Sequence, residues 1–579
     1  MSPEDQAEAL ETLEKRLKHC KEISFTQDSD GRDNTYLAIA TKASKGDEAK
    51  QIRLKLAFKG DDDAVELGKQ SKQFLENQLV ACLKKNADKI QNVKYVTIDD
   101  RLPDFINVTI AIFIEKKKPL KKLVFDSCGS QRDDGPSIFD ATLLRQVCEL
   151  CEEFHIDYED HELSNPHDLP LFLSVLGQVN LLKVVSFSYT FCDDTTQLVH
   201  MLESNTLLTE LILYNAFSGI TKSALNPLVD AMKKHPSLKK FTLLHSKLHS
   251  SIYKWAVTTI LDNKNIVGFC TDGYYSRNAT WLGRFLGAND QVTEVNLSHP
   301  SFEDDYDRVS SRGAALSLIQ GLSRNTTLKS VKLVGIPMEA EVVQAMRTLI
   351  EMNETFEKLA CGTTVMRPSC FSVIIGGMLS NTTIKKLSIQ ARYLDPVGAQ
   401  TVADILASNV TLESLSIGTH RCRYPLRSRA RTSMEVDPAD PSQAVALLVA
   451  GLRQNTTLKY LTLPASMYNS SCVEHFCGIL QTENQTLERL TFWPNRFWPK
   501  VPCKIPRLQY LTLLNRCGRQ RLFHANVPNA LWAHVLAAKP NADLVRYFVN
   551  EKPVLFDYCA EKRQQVENSD HGNKRAKHA

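Results

Sequence analysis

The apolar residues of this chain follow one short pattern many times. Two copies are "LKSVKL" from Leu328 and "LKYLTL" from Leu458. The last three positions alternate apolar, polar and apolar, which is typical of a short β-strand with one buried face. Each copy therefore predicts one strand whose middle residue points away from the core.

A second pattern precedes each strand. Apolar residues recur with the spacing i, i+3, i+4 and i+7, which predicts an amphipathic helix. Clear examples are residues 315–322, 399–406 and 445–452. An Asn follows each of these helices, namely Asn325, Asn409 and Asn455. We expect the Asn to end the helix with left-handed backbone angles, which Asn tolerates better than other non-glycine residues.

The strand pattern recurs about every 28 residues, and this period indicates a leucine-rich solenoid. Its first apolar residue lies at Leu182, Leu208, Leu238, Ile266, Val292, Leu328, Phe356, Ile384, Leu412, Leu458, Leu487 and Leu508. Weaker copies begin at Cys20, Val93 and Leu120. A single repeat cannot bury its apolar face alone, so the repeats must stack. The predicted fold is α/β, a horseshoe-shaped solenoid with a parallel sheet on the concave face and helices on the convex face.

The repeats from about residue 170 to 515 resemble the ribonuclease-inhibitor-type leucine-rich repeats, whose units have a similar length and a convex helix. This resemblance implies the fold and does not identify a partner.

The rest of the chain is predicted to close the solenoid. Residues 1–60 combine a helix with the alternating segments "TYLAIAT" and "QIRLKLAF", which predict a β-hairpin cap. Residues 61–515 form the solenoid, with an Arg-rich insertion at 419–441. Residues 516–557 are predicted to form a helical cap, and the polar residues 558–579 a disordered basic tail.

Composition favours an intracellular location, nuclear or cytoplasmic. The chain has 43% hydrophobic residues, 23% charged residues and a formal net charge of +4, which is too small to argue for nucleic acid. There is no apolar run of membrane-spanning length and no apolar signal-peptide core at the N-terminus. The 15 cysteines are therefore expected to be free thiols, and the repeated Asn-x-Thr to serve the fold.

No enzyme motif is recognisable, and we expect neither a catalytic residue nor a cofactor or metal. Cys148 and Cys151 form a lone C-x-x-C in an apparently helical stretch. Cys472, His475 and Cys477 lie close together without a second ligand cluster. Buried packing explains both groups better than zinc binding does.

The middle residues of the strands predict a shallow polar surface suited to a macromolecule. They are Ser186, Ile212, Thr242, Asn296, Lys332, Ser388, Ser416, Thr462, Thr491 and Thr512. Near the C-terminus, Trp493, Phe497, Trp498 and Arg496 share one loop beside Tyr460 and Tyr510, which are predicted on adjacent strands. Aromatic and arginine side chains often anchor interfaces, although packing against the cap would also explain them.

The insertion at 419–441 carries five arginines, at Arg421, Arg423, Arg427, Arg429 and Arg431. Insertions in solenoids emerge as loops, often on the binding side. The arginines could contact phosphates or an acidic partner, or the segment could be a solvated spacer.

Two basic clusters in the tail have the spacing of a bipartite nuclear import signal. The residues are Lys562, Arg563, Lys574, Arg575 and Lys577. Two clusters on a flexible tether could occupy two sites of an import receptor together.

The leading hypothesis is a non-enzymatic scaffold that binds another protein on the concave face and the C-terminal rim. One alternative is a regulator of a small GTPase, because the Ran GTPase-activating proteins use the same repeat type. In those proteins an acidic segment follows the repeats, whereas the tail of this chain is basic, which argues against this alternative. The other alternative is nucleic-acid or chromatin binding through the Arg-rich loop, which would predict a steep salt dependence.

Overall fold

The computed structural model describes most of the repeats, and all structural statements below concern these residues. They are 11–15, 17–18, 21–29, 35–42, 50–57, 79–96, 105–117, 119–126, 140–157, 168–179, 181–188, 195–214, 216–217, 219–244, 248–271, 276–297, 308–336, 338–362, 366–391, 394–418, 441–493 and 506–516. They group into an N-terminal unit within Met1–Tyr274 and Gln291–Asn296, and a C-terminal unit within Tyr275–Asp290 and Leu297–Ala579.

The N-terminal unit contains a hairpin followed by parallel strands. Its strands are β1 (Glu22–Ser29), β2 (Thr35–Lys42), β3 (Lys50–Ala57), β4 (Asn92–Val96), β5 (Leu120–Asp126), β6 (Cys151–Asp157), β7 (Val184–Ser188), β8 (Glu210–Tyr214), β9 (Lys240–Leu244), β10 (Gly268–Thr271) and β11 (Glu294–Asn296). Strands β2 and β3 pair antiparallel, which confirms the predicted hairpin. Strand β1 pairs antiparallel with β2 and parallel with β4, and the later strands continue in parallel.

Helices alternate with these strands after β4. They are α1 (Phe105–Glu115), α2 (Ala141–Cys148), α3 (Asp168–Leu176), α4 (Thr196–Ser204), α5 (Lys222–Lys234) and α6 (Ser250–Ile260). Two of them begin with the expected side-chain caps. Asp140 Oδ1 accepts a hydrogen bond from Leu143 N, and Thr221 Oγ1 accepts one from Ala224 N.

The C-terminal unit has the same alternation with greater regularity. Its helices are α7 (Ser276–Ala288), α8 (Arg308–Arg324), α9 (Ala340–Met352), α10 (Pro368–Gly376), α11 (Pro396–Ser408), α12 (Ser442–Gln454), α13 (Ser470–Thr482) and α14 (Pro506–Arg516). Its strands are β12 (Ser330–Val334), β13 (Lys358–Gly362), β14 (Lys386–Gln390), β15 (Ser414–Ile417), β16 (Tyr460–Leu463) and β17 (Arg489–Phe492). All neighbouring strands pair in parallel. The predicted α/β repeat fold is confirmed.

The apolar positions of the motif form the core. In the β16 repeat, Leu458, Leu461 and Leu463 are completely buried, whereas Thr462 between them is half-buried. Burying each such leucine contributes about 1.5–3 kcal/mol. The sheet therefore has one covered face and one open face, and the middle residues of the strands line the open one.

The Asn of each repeat acts through its side chain, and the expectation of a left-handed backbone is wrong. Asn353, Asn409 and Asn455 have φ values of −83°, −82° and −80° with extended ψ. Asn409 Nδ2 donates to Met378 O (3.0 Å) and Asn381 O (2.8 Å) of the preceding repeat. Its Oδ1 accepts from two backbone N–H groups of its own corner. The amide thus joins two repeats, a role that backbone angles alone cannot supply.

Three sequence assignments are corrected by the structure. Residues 508–513 were expected to form a strand, but they lie in helix α14, because their apolar spacing also fits a helix. Val93 pairs with Leu123 and not with Leu120, so the first apolar residue of that repeat is the buried Ile90. The stretch containing Cys148 and Cys151 is not one helix, since α2 ends at Cys148 and β6 begins at Cys151.

Candidate functional site

Four of the predicted partner-binding residues form a row across the open face of the C-terminal unit. Ser388 aligns with Ser416, Ser416 with Thr462, and Thr462 with Thr491. All four are half-buried, and the hydroxyl oxygens of Thr462 and Thr491 lie 3.0 Å apart. The row is a continuous strip of small hydroxyl groups.

Trp493 extends this row across two strands. It follows β17, and its backbone N–H donates to Leu463 O at 2.8 Å. Its indole Nε1–H donates to Ser416 Oγ at 3.3 Å, although the two residues are 77 positions apart in the sequence. A Cβ at Gly418 would lie only 1.9 Å from the indole ring, so the ring needs glycine there. Together Ser388, Ser416, Thr462, Thr491 and Trp493 form what we call the open-face cluster.

Tyr460 lies on a strand next to this cluster, whereas Tyr510 lies on a helix. Tyr460 is 40% exposed, aligns with Arg489, and donates its hydroxyl to Glu488 Oε2 at 3.3 Å. Tyr510 lies on helix α14, so its predicted position on a strand is wrong. Thr512 is likewise a buried helical residue that donates to Leu508 O, so it does not belong to the open face.

Several predicted residues lie outside the described part of the chain. They are Arg496, Phe497 and Trp498, the arginines Arg421, Arg423, Arg427, Arg429 and Arg431, and the tail residues Lys562, Arg563, Lys574, Arg575 and Lys577. Their roles stay predictions.

A shallow furrow of about 650 Å³ runs along the edge of the sheet where the strands begin. Its walls include the threonines of the Asn-x-Thr corners, among them Thr327, Thr355, Thr383 and Thr411. Lys385 and Glu357, which also line it, form an ion pair of 3.4 Å. We did not predict this furrow, although the repeated Thr was its signal in the sequence.

The cysteine groups are packing residues in the described part of the chain. Burial raises the pKa of both Cys148 and Cys151, and it raises the pKa of Cys361 to about 12. Cys472 and Cys477 are buried on helix α13, whereas His475 is exposed. Within the described ranges, no group of three or more His, Cys, Asp or Glu residues is arranged to hold a metal ion.

The parallel strand–helix repeats, with their buried Leu-x-x-Leu-x-Leu positions, have the fold of a leucine-rich repeat solenoid. No family model and no curated protein matches the chain. The similar solved structures include the actin-binding site 2 of leiomodin-1, with 16% identity, a TM-score of 0.20, and coverage of 28% of this chain and 80% of that chain.

Two further structures cover more of the chain. A protein from Bacteroides fragilis has 12% identity and a TM-score of 0.28, over 68% of this chain and 95% of its own. A TLR13–ssRNA13 complex has 10% identity and a TM-score of 0.29, over 71% of this chain and 55% of that chain. Among the described helices, none is long and apolar enough to cross a membrane.

Proposed function

We propose that this chain is an interaction scaffold that binds another protein on the open face of strands β14–β17. The observation that carries the proposal is the position of Trp493, whose indole lies on the hydroxyl row and is fixed by Ser416 and Gly418. A partly exposed tryptophan with a defined orientation is a typical interface anchor, because little side-chain entropy remains to be lost on binding.

The surroundings of Trp493 suit a macromolecule better than a small molecule. The row from Ser388 to Thr491 spans three strand spacings, about 14 Å. Its side chains are short and half-buried, so they form a flat polar surface without an enclosed cavity. A non-enzymatic role agrees with such a surface, which lacks the convergent acid, base and nucleophile that catalysis requires.

We further propose that the repeats are of the ribonuclease-inhibitor type, that residues 1–60 and 516–557 cap the ends, and that the tail signal directs nuclear import. The repeat length of about 28 residues supports the ribonuclease-inhibitor type, and the sheet of strands β1–β3 supports the N-terminal cap.

Affinity purification followed by mass spectrometry tests the binding surface. The wild type is compared with Ser416→Arg/Thr462→Arg/Trp493→Ala, which inserts two long cations and removes the anchor. A control variant, Gln320→Arg/Gln400→Arg, adds two arginines on exposed helix positions. Circular dichroism checks that all three proteins fold.

We expect a discrete partner to be lost from the open-face variant and kept by the control. If the folded open-face variant keeps every partner of the wild type, binding occurs elsewhere and the proposal is wrong.

A further inference from the structure

A group of basic side chains lies beside the open-face cluster. Lys358 and Lys386 occupy the same position on neighbouring strands and align directly in the β13–β14 register. Both are exposed. Lys332 lies on β12 and aligns with Ala360, so it is displaced from Lys358 by one strand and two residues, about 8 Å between Cα atoms. Three ammonium groups therefore share one small area.

The residues that directly precede this strand position carry opposite charges that form ion pairs between neighbouring repeats. Glu357 pairs with Lys385 at 3.4 Å, and Glu413 pairs with Lys459 at 3.3 Å. In contrast, Lys332, Lys358 and Lys386 have no carboxylate within ion-pair distance in the described part of the chain. Like charges directly opposite each other in a sheet are destabilising, so Lys358 and Lys386 repel each other.

The equivalent positions of the N-terminal unit are balanced. Lys122 aligns with Glu153, and Glu210 aligns with Lys240. Lys240 also forms an ion pair with Glu294 across Gly268, where a side chain would collide with the lysine stem. The direct alignment of two lysines on β13 and β14 is therefore not a general property of these repeats.

The basic area continues toward the open-face cluster. In the same strand position, Lys358 and Lys386 are followed by Ser414 on β15, Tyr460 on β16 and Arg489 on β17. We call Lys332, Lys358, Lys386, Tyr460 and Arg489 the basic strip. From β13 to β17 it spans four strand spacings, about 19 Å, which matches about six residues of extended polypeptide.

We propose that the basic strip binds an acidic, extended polypeptide segment of the partner. The proposal rests on the scaffold function proposed above and specifies the chemistry of its ligand. Carboxylates of such a segment would neutralise the aligned lysines, while Tyr460 and Trp493 would contact its apolar atoms.

The neighbouring acids favour a polypeptide over a nucleic acid. Glu357 and Glu488 directly precede the strip residues Lys358 and Arg489, and Glu413 precedes Ser414 in the same row of strand positions. These carboxylates would repel a continuous phosphate backbone. Single-stranded nucleic acids are bound by stacking successive bases on several aromatic side chains. Tyr460 is the one aromatic residue of the strip, and its hydroxyl is directed toward Glu488. A peptide can place its carboxylates at the lysines and uncharged side chains beside the glutamates.

The decisive variant is Lys386→Glu in the full chain. It replaces an aligned pair of like charges with an aligned pair of opposite charges, so the thermal midpoint should stay equal or rise. Arg347→Glu on helix α9 is the control, because it changes the net charge by the same amount away from the strip. The probe is a fluorescein-labelled decapeptide of alternating Glu and Ser, measured by fluorescence anisotropy. A Lys–Ser decapeptide and a uridine decanucleotide serve as comparisons.

We expect the Glu–Ser peptide to bind the wild type, and Lys386→Glu to weaken it about tenfold or more while Arg347→Glu has little effect. Tighter binding of the oligonucleotide than of the Glu–Ser peptide would overturn the proposal in favour of nucleic acid. Equal binding of the two peptides, or no effect of Lys386→Glu, would overturn it as well.

The two proposals can fail separately. If the Glu–Ser peptide binds through Lys386 but the open-face variant keeps its partners, the scaffold surface is wrong and the anion preference is right. If the open-face variant loses a partner but the peptide does not bind the strip, the scaffold proposal stands without this ligand chemistry.

Discussion

The substitution Asn381→Ala tests the hydrogen bonds by which the buried Asn side chain of a repeat joins it to the preceding repeat. We call this series of Asn side chains the ladder. Asn381 is 3% exposed. Its Nδ2 donates to Ile350 O at 2.7 Å and Asn353 O at 3.0 Å, both in the preceding repeat. Its Oδ1 accepts from Thr383 N at 3.0 Å and Ile384 N at 2.9 Å in its own corner. Alanine would leave two carbonyl groups and two N–H groups without this partner.

The expected loss follows from these four bonds. A buried hydrogen bond contributes about 1 kcal/mol net, and a buried group left unpaired costs about 1–3 kcal/mol. Because four buried bonds of normal length are lost and two repeats are affected, we expect the free energy of unfolding to fall by about 3–5 kcal/mol. Asn381→Asp keeps the acceptor but faces two carbonyl oxygens with a carboxylate, so it should be at least as destabilising at neutral pH.

Urea unfolding followed by circular dichroism measures the loss, and amide hydrogen exchange should locate it at residues 383–384. Asn226→Ala is the control, since Asn226 is exposed on helix α5 and its Nδ2 contacts only the Asp230 carboxylate among the described residues. Its change should stay within about 0.5 kcal/mol. If Asn381→Ala is no more destabilising than this control, the ladder does not stabilise the stack.

Two further predictions concern other contacts between repeats. His235 replaces Asn in the ladder: its Nδ1 accepts from Leu238 N at 3.1 Å, its Nε2 donates to Asn205 O at 2.9 Å, and burial lowers its pKa. The contribution of His235 to stability is therefore present above the usual histidine pKa, about 6.5, and is lost as the pH falls below it. The variant His235→Asn should flatten the decline of the thermal midpoint between pH 7 and pH 5, and an unchanged decline would contradict this role. Gly321→Ala would place a Cβ 1.9 Å from Gly283 O and should destabilise by about 1–3 kcal/mol in urea unfolding. Gly313→Ala, with open space at its Cβ, should stabilise by about 0.5–1 kcal/mol, and equal effects of both would refute the close helix contact.

The repeats were predictable because the short sequence of each repeat already contains its pattern of buried and exposed positions. Leu328, Val331 and Leu333 alternate in the sequence and are buried in the structure at 0%, 2% and 0% exposure. Strand β6 was missed because Cys151 occupies the first apolar position and joins a helical pattern before it. Helix α14 was misread because Leu508 and Leu511 satisfy the strand motif and the helical period equally.

The candidate site was predictable only in part. The strand periodicity identified Ser416 and Thr462, since the side-chain alternation of a strand is a local property. The contact between Trp493 and Ser416 depends on stacking of three repeats and on the missing Cβ of Gly418. The direct alignment of Lys358 with Lys386 depends on the strand register, which no single repeat contains.

Lysine-directed crosslinking of the captured complex, followed by mass spectrometry, shows directly whether the partner binds on the open face of the C-terminal unit. Among the described residues, the lysines of the C-terminal unit lie on its strands and corners, whereas Lys222, Lys233 and Lys254 lie on helices of the N-terminal unit. We expect crosslinks from Lys358, Lys386 and Lys459 to the partner. Crosslinks confined to the helix lysines would contradict binding on the open face.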